Sequence, residues 1–400
     1  MVVRVAQQER QLLEGSRAVA EAVMRCRPRV VAAYPITPQT HIVEELSQMV
    51  ADGDLKAEYV NVESEHSAAS VVLGASATGA RAYTASSSQG FLLMLEVLYN
   101  IAGMRLPVVL TCVNRSISAP INIWTDQQDS LAARDTGWIQ LYAEDNQEVL
   151  DMHIQAFRIA EDHRVLLPVM ICMSGYILTH AYEPVWMPSQ EAVDEFLPPY
   201  EPLVYLTPED PVTLGTLATP EHYMETRYAI QSSQLKALTV IGEVAEEYKE
   251  AFGRWSGGLI EEYRTEEASL ILVSLGSVVG TLKEAVDELR AEGRKVGLVK
   301  VRAYRPFPAE ALGEALKGAK RIAVLEQDVS LGSCGALAAD LKAAFYNRPG
   351  TPPIAGFIAG LGGRDITVET VKGIVGKVEK GELPEAKFVD LRMENLGGGL

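Results

Sequence analysis

Four short apolar runs, Arg29–Ala33, Glu58–Val62, Arg81–Ala85 and Pro107–Val113, alternate with stretches of helical spacing. This alternation limits the fold more than any other feature of the chain. Strands separated by helices cannot pair through hairpins; they need crossovers, which give a mostly parallel sheet covered by helices. The helices are predicted at Gly15–Cys26, about Thr40–Met49, Glu63–Ala80 and Phe91–Ala102. Val19, Ala20, Val23 and Met24 form one apolar stripe of the first. The third consists almost wholly of small residues, which let a neighbouring backbone come close. Further on, Gln147–Asp162 predicts an amphipathic helix and Val165–Met173 a fifth buried strand. The predicted fold class is α/β, doubly wound.

Polar residues fall in phase with this pattern. Thr37, Glu65, Gln89 and Arg115 each lie just past the carboxyl end of a successive strand. Those ends share one edge of a parallel sheet, where such folds place ligands. The first of these loops, Tyr34-Pro35-Ile36-Thr37-Pro38, is pinned, because proline fixes its own φ and holds the preceding residue extended. Arg115 has a planar fork suited to a carboxylate and does not lose its charge. Plainer readings stand beside each residue: Glu65 as a helix cap with Glu63 as its competitor, Arg115 as half of a surface ion pair, Thr37 as a turn hydroxyl. Asn122, Asp126 and Asp129 have the chemistry of metal ligands, but their loop reads as a solvated turn, and no metal is assigned to this chain.

The length of 400 residues accommodates two domains. Eight of the 20 prolines lie between Pro184 and Pro220, so the stretch 183–220 is expected to be a linker, a lid or an arm wrapped on a partner. Helix returns at Tyr223–Trp255. A second α/β domain opens at about Ala268, with strands at Leu270–Ser277, Lys295–Val301 and Arg321–Glu326, a helix at Thr281–Glu292 and a loop at Arg302–Pro308. The expected boundaries are 1–255 and 268–400. Gly332-Ser333-Cys334-Gly335 looks like an anion-binding loop, although no nucleotide-binding glycine pattern accompanies it. The Gly-rich end, Asn395–Leu400, is expected to be mobile unless a partner holds it. A net charge of −17 repels nucleic-acid phosphates and anionic membranes. The start, Met1–Arg10, lacks a signal-peptide core, and no apolar run approaches the ~20 residues of a membrane span. Cys26, Cys112, Cys172 and Cys334 are far apart and sit in or beside apolar segments, which is the usage of reduced cytoplasmic thiols. With no CxxC pair, the chain carries no recognisable cluster or structural zinc motif.

With these residues in view, the chain resembles the α subunit of the 2-oxoacid:ferredoxin oxidoreductases, most closely the pyruvate:ferredoxin branch. Tyr34–Pro38, Glu63-Ser64-Glu65-His66, Ser88-Gln89-Gly90, Asn114-Arg115, Ser118–Trp124 and Arg302–Pro308 carry the resemblance in order and spacing. It implies that residues 1–255 form the pyrimidine-binding half of a thiamine diphosphate site and that 268–400 form a transketolase-C-like domain. It further implies that Glu65 meets N1′ of the aminopyrimidine, that Pro35, Ile36 and Gln89 line the cofactor, and that Thr37 and Arg115 hold the substrate carboxylate. A glutamate in this role needs apolar packing that raises its pKa, so that it shares a proton with the ring and favours the imino tautomer that activates C2.

The Gly-Asp-Gly motif that holds Mg2+ and diphosphate in such enzymes is missing; Asp52-Gly53-Asp54 has the wrong order. The resemblance therefore implies a β subunit that supplies diphosphate binding, Mg2+ and a [4Fe-4S] cluster, with γ and ferredoxin-like δ chains or fusions of them. Coenzyme A is the implied co-substrate and external ferredoxin the electron acceptor. One arginine and one hydroxyl neutralise a single carboxylate, which favours pyruvate; 2-oxoisovalerate, 2-oxoglutarate and oxalate are the alternatives. Two other readings are a non-redox transketolase-type transferase and a non-catalytic scaffold subunit.

Overall fold

The computed structural model describes residues 6–396. Met1–Val5, half of the segment searched for a signal peptide, and Gly397–Leu400, most of the expected mobile end, lie outside the described residues. The chain divides into two units, one running to Leu259 and including Arg302–Pro308, the other made of Ile260–Val301 and the chain from Ala309 onward.

The first unit runs β1 (Gln8–Glu14), α1 (Gly15–Arg25), β2 (Val30–Ala33), α2 (Thr40–Asp52), β3 (Glu58–Asn61), α3 (Glu65–Ala77), β4 (Ala82–Ser86), α4 (Ser88–Leu93), α5 (Leu95–Gly103) and β5 (Val109–Asn114). It continues through α6 (Gln128–Ala132), β6 (Ile139–Tyr142), α7 (Asn146–Ala160), β7 (Val169–Ser174), β8 (Tyr182–Pro188), α8 (Gln190–Phe196) and α9 (Pro220–Phe252). Strands β6-β7-β5-β4-β2-β3 lie side by side in that order, all parallel. Every residue of β4, β5 and β7 is buried. Both faces of these strands are covered, which is why their sequences read as apolar runs rather than alternations.

Three features depart from the sequence reading. β1 and β8 form a separate antiparallel pair, so part of the expected irregular stretch 183–220 is strand and helix, and only 197–219 lacks regular structure. The apolar helix expected at Phe91–Ala102 is broken at Met94 into α4 and α5. β6, between α6 and α7, has no counterpart among the expected strands.

The second unit contains β9 (Ile260–Tyr263), β10 (Leu270–Ser274), α10 (Val278–Ala291) and β11 (Val296–Val301). The chain then returns to the first unit as β12 (Ala303–Arg305), which pairs antiparallel with β6 and makes that sheet seven-stranded. Arg302 anchors the return: its buried guanidinium donates to Gln155 Oε1 (2.7 Å) and Gly258 O (2.8 Å). Arg302–Pro308, read from sequence as a loop of the second domain, thus belongs to the first. The second unit resumes with α11 (Ala309–Ala315), β13 (Arg321–Glu326), α12 (Ala336–Phe345), β14 (Ile354–Ile358), α13 (Val368–Glu379) and β15 (Lys387–Phe388). Its sheet has the order β15-β14-β13-β10-β11-β9, with β9 alone antiparallel.

The glycine loop before α12 differs from its sequence reading. Leu337 N–H donates to Glu326 Oε2 (2.8 Å), Ala338 N–H to Oε1 (3.3 Å) and Ala336 N–H to Asp328 Oδ2 (3.0 Å). A helix N-terminus is where acceptors for unpaired N–H groups gather, and here the chain supplies them from its own carboxyl groups. Burial pushes the Glu326 carboxyl up to about 8, against the two N–H donors and with help from Asp328 and Asp340.

Candidate functional site

β2 is the switch point of the first sheet, since the chain passes from it to β3 on one side and returns to β4 on the other. The loops after β2 and β4 diverge there and leave a crevice at the carboxyl edge. Gln39 sets its floor. Fully buried, it accepts from Ile36 N–H (3.1 Å) and donates to Ala85 O of β4 (2.9 Å). Pro38 rests on Gly175, where a Cβ would stand 2.7 Å from the proline ring and 2.6 Å from Asn114 O.

Glu65 is the first residue of α3 and is 7% exposed. The helix cap is Ser64, whose hydroxyl accepts from Ser67 N–H (3.3 Å). Glu65 itself takes no hydrogen bond among the described residues, which disposes of the capping reading. Its carboxylate lies against Gly90, where a Cβ would come within 2.2 Å of Oε1. Only a residue without a side chain leaves that space. The rival Glu63 is exposed and bonded by the Ser67 hydroxyl, which holds its carboxyl below the ordinary range. Gln89 accepts from Ser88 Oγ (2.8 Å), while its buried Nε2 and the buried Ser87 hydroxyl have no partner among the described residues. The turn that carries Gly90 thus holds an acceptor against its glycine and two unpartnered polar groups within three residues of it. Buried polar groups are usually hydrogen-bonded to protein or to water.

Arg115 follows β5 and is 6% exposed. Its Nη1 donates to Thr37 O (2.8 Å) and its Nε to Asn122 O (3.1 Å). β4 lies between β5 and β2, so this side chain ties the loop after β5 to the loop after β2. No acidic side chain pairs with the guanidinium, and Nη2 has no acceptor among the described residues. The surface-pair reading fails. Burial lowers the pKa of this guanidinium, opposed by Tyr176 and Asp129. Thr37 is exposed and its hydroxyl bonds to nothing among the described residues; the turn is held by its carbonyl and by Gln39.

Asp129 and Gln39 are the positioning residues that sequence reasoning missed. Asp129 is fully buried. Oδ2 accepts from Ser88 N–H and Arg115 N–H (3.0 Å each), Oδ1 from Asn114 Nδ2 and Ser130 N–H (2.8 Å each). One carboxylate thereby joins the loops after β4 and β5, with its lone pairs spent on protein donors. Burial raises it to about 7 despite these bonds. It also holds Ser88 at φ +49°, a left-handed conformation that costs a non-glycine residue about 1–2 kcal/mol. The solvated turn expected for Asp126 and Asp129 is instead buried structure, with Asp126 accepting from Gln128 N–H and Nε2. The abundance of amide and carboxylate groups in 117–129 was the available signal.

Residues 21–246 match the profile of the pyruvate flavodoxin/ferredoxin oxidoreductase thiamine diphosphate-binding domain, and 268–371 that of pyruvate:ferredoxin oxidoreductase core domain II. Pyruvate synthase subunit PorA of Methanosarcina barkeri is 49% identical over 391 residues, covering 96% of this chain and 97% of the relative. Ketoisovalerate oxidoreductase subunit VorA of Pyrococcus horikoshii is 49% identical over 372 residues, covering 93% and 94%. Among solved structures, the 2-oxoglutarate:ferredoxin oxidoreductase of Magnetococcus marinus, with 2-oxoglutarate, coenzyme A and succinyl-CoA bound, superposes with a TM-score of 0.73 at 20% identity. That match covers 93% of this chain and 65% of the other, and it establishes likeness of fold.

Proposed function

Because the chain belongs to the pyruvate flavodoxin/ferredoxin oxidoreductase family, we propose that it is the α subunit of a multi-subunit, CoA-acylating 2-oxoacid:ferredoxin oxidoreductase acting on pyruvate. The observation that carries this reading is the unsatisfied group around Gly90: a buried carboxylate, an amide donor and a hydroxyl, none with a full set of partners. These residues fit the aminopyrimidine end of thiamine diphosphate. Glu65 would exchange a proton with its ring nitrogen, Gln89 would bond a polar atom of the ring, and the backbone of Pro35 and Ile36 would line it. When bound, that cofactor supplies the nucleophilic carbon and electron sink that decarboxylation of a 2-oxoacid requires.

The chain's own contribution is positioning. Arg115, fixed through Nη1 and Nε, presents Nη2 to the substrate carboxylate, and the unbonded Thr37 hydroxyl supplies a second donor. One cation and one hydroxyl suit a monocarboxylic substrate. The 49% identity to a ketoisovalerate oxidoreductase subunit favours 2-oxoisovalerate as the second reading, because both substrates carry one carboxylate.

We assign the first unit to the pyrimidine half of the cofactor site and 268–400 to the transketolase-C-like domain. A β subunit then contributes diphosphate binding, Mg2+ and a [4Fe-4S] cluster, with γ and ferredoxin-like δ chains or fusions, external ferredoxin as acceptor and coenzyme A as co-substrate. Tyr34, Ile121, Trp124 and Ile177, all exposed on loops at the crevice edge, support a covering chain there. No helix among the described residues is long and apolar enough to cross a membrane, and we place the complex in the cytoplasm. The test is the purified complex assayed with coenzyme A, a viologen acceptor and pyruvate, 2-oxoisovalerate, 2-oxoglutarate or oxalate. Pyruvate is expected to give the highest kcat/KM. A preference for another acid overturns the substrate, and failure of all four to reduce the viologen overturns the reaction class.

A further inference from the structure

We propose that Glu14, His41 and His180 bind one zinc-class divalent ion beside the crevice. The three come from separate parts of the first unit: the end of β1, the first turn of α2 and the loop after β7. A ring nitrogen of each histidine and one Glu14 oxygen all lie within 4.8 Å of one another. Two imidazoles and a carboxylate are the donor set of many three-residue zinc sites, which keep a fourth position for water. Around a tetrahedral ion at about 2.0–2.1 Å the donor atoms stand about 3.4 Å apart. His41 is 46% exposed at its side chain, which leaves it room to adjust.

The surroundings orient the two histidines toward one point. His41 Nδ1 lies 2.7 Å from Glu14 Oε1, and an ion between them replaces the proton they share. The two rings pack with centroids 4.7 Å apart, an arrangement that repels if both are imidazolium. Burial and the neighbouring His41 lower the pKa of His180, opposed by Glu14. Thr179 Oγ1 lies 2.7 Å from His180 Nδ1 and also accepts from Tyr176 N–H (2.8 Å). A ring N–H donated to that hydroxyl orients the imidazole and leaves its other nitrogen for the ion, the support that outer-shell partners give metal-bound histidines. Tyr176 packs on the His180 ring with centroids 4.7 Å apart.

The inference does not rest on the proposed reaction. An ion here would tie α2, which begins directly after the Pro35–Pro38 loop, to the loop after β7 that starts at Gly175 beneath Pro38. The full-length chain, stripped with a chelator, is titrated with Co2+ and with Zn2+ at neutral pH. One equivalent should bind, with the visible d–d bands of four-coordinate Co2+, and Zn2+ should displace it. His41→Ala, His180→Ala and Glu14→Gln should each weaken Co2+ binding at least ~10-fold. His41→Ala changes an exposed side chain, so unaltered circular dichroism in that variant separates loss of a ligand from loss of the fold. Absence of Co2+ bands in the wild-type chain, or wild-type Co2+ affinity retained in His41→Ala and in His180→Ala, overturns the site.

Discussion

Each unit of this protein places a buried glutamate against a glycine that has no room for a side chain, at the start of a helix. Glu65 lies over Gly90, and Glu326 over Gly335. In the second unit the arrangement is closed: backbone N–H groups of α12 satisfy Glu326, and Asp328 takes a third. In the first it is open. Ser64 caps α3 in place of Glu65, and the carboxylate is left without a donor. The same local geometry becomes a structural clamp or a ligand site according to whether the chain provides the partners itself.

The strongest way to break this contrast is Glu65→Gln. Without a carboxylate to exchange a proton, turnover of the assembled complex should fall by about 10²–10⁴. The thermal unfolding temperature should hardly move, because no internal bond is lost. Full activity in that variant removes Glu65 from the reaction. Next come the two glycines. In Gly335→Ala the new Cβ would stand 1.9 Å from Glu326 Cδ, a group tied by two N–H donors, and a loss of about 2–3 kcal/mol is expected in denaturant titration. In Gly90→Ala the unbonded Glu65 carboxylate swings aside at less than ~1 kcal/mol, and the cost appears as weaker thiamine diphosphate binding by the complex. Equal destabilisation of the two variants contradicts the open-versus-closed distinction.

A smaller effect is expected from Arg115→Lys, which keeps the charge and loses the fork. KM for the 2-oxoacid should rise about tenfold, with kcat affected less. The smallest concerns pH. The Glu326 carboxyl is raised from an ordinary 4.5 to about 8, so its stabilising contribution is complete below 4.5 and is lost as the pH rises through 8. Glu326→Gln should flatten the decline of the unfolding temperature over that interval. An unchanged slope assigns the decline to other groups, among them Asp129, whose raised carboxyl acts with the same sign.

The parallel sheet and its polar strand tips were legible because both are local: apolar runs bounded by Pro, Gly or charge, with one polar residue after each. The placement of Thr37, Glu65, Gln89 and Arg115 past the ends of β2, β3, β4 and β5 was readable on that basis. Asp129 and Gln39 were not. Their roles depend on which strands become neighbours, since Asp129 joins the ends of β4 and β5 and Gln39 joins a loop after β2 to β4. The β1–β8 pair escaped for the same reason: Gln8–Glu14 meets Tyr182–Pro188 across most of the first unit's sequence, and neither segment shows the clean alternation of a two-faced strand. The glycine loop at 332–335 was misread because the carboxyl group its helix receives comes from a strand end six residues upstream, not from a ligand.

The return of Arg302–Pro308 to the first sheet has a bearing on how this protein can be cut. A shortened chain ending near residue 255 would expose β6 as a raw edge and leave Gln155 without Arg302. A fragment starting at 268 would carry β12 with no sheet to join and would lack β9. Neither half is a separable module: the chain is sewn through the first unit twice, and a soluble piece of it needs residues 302–308 supplied back by fusion or as a peptide.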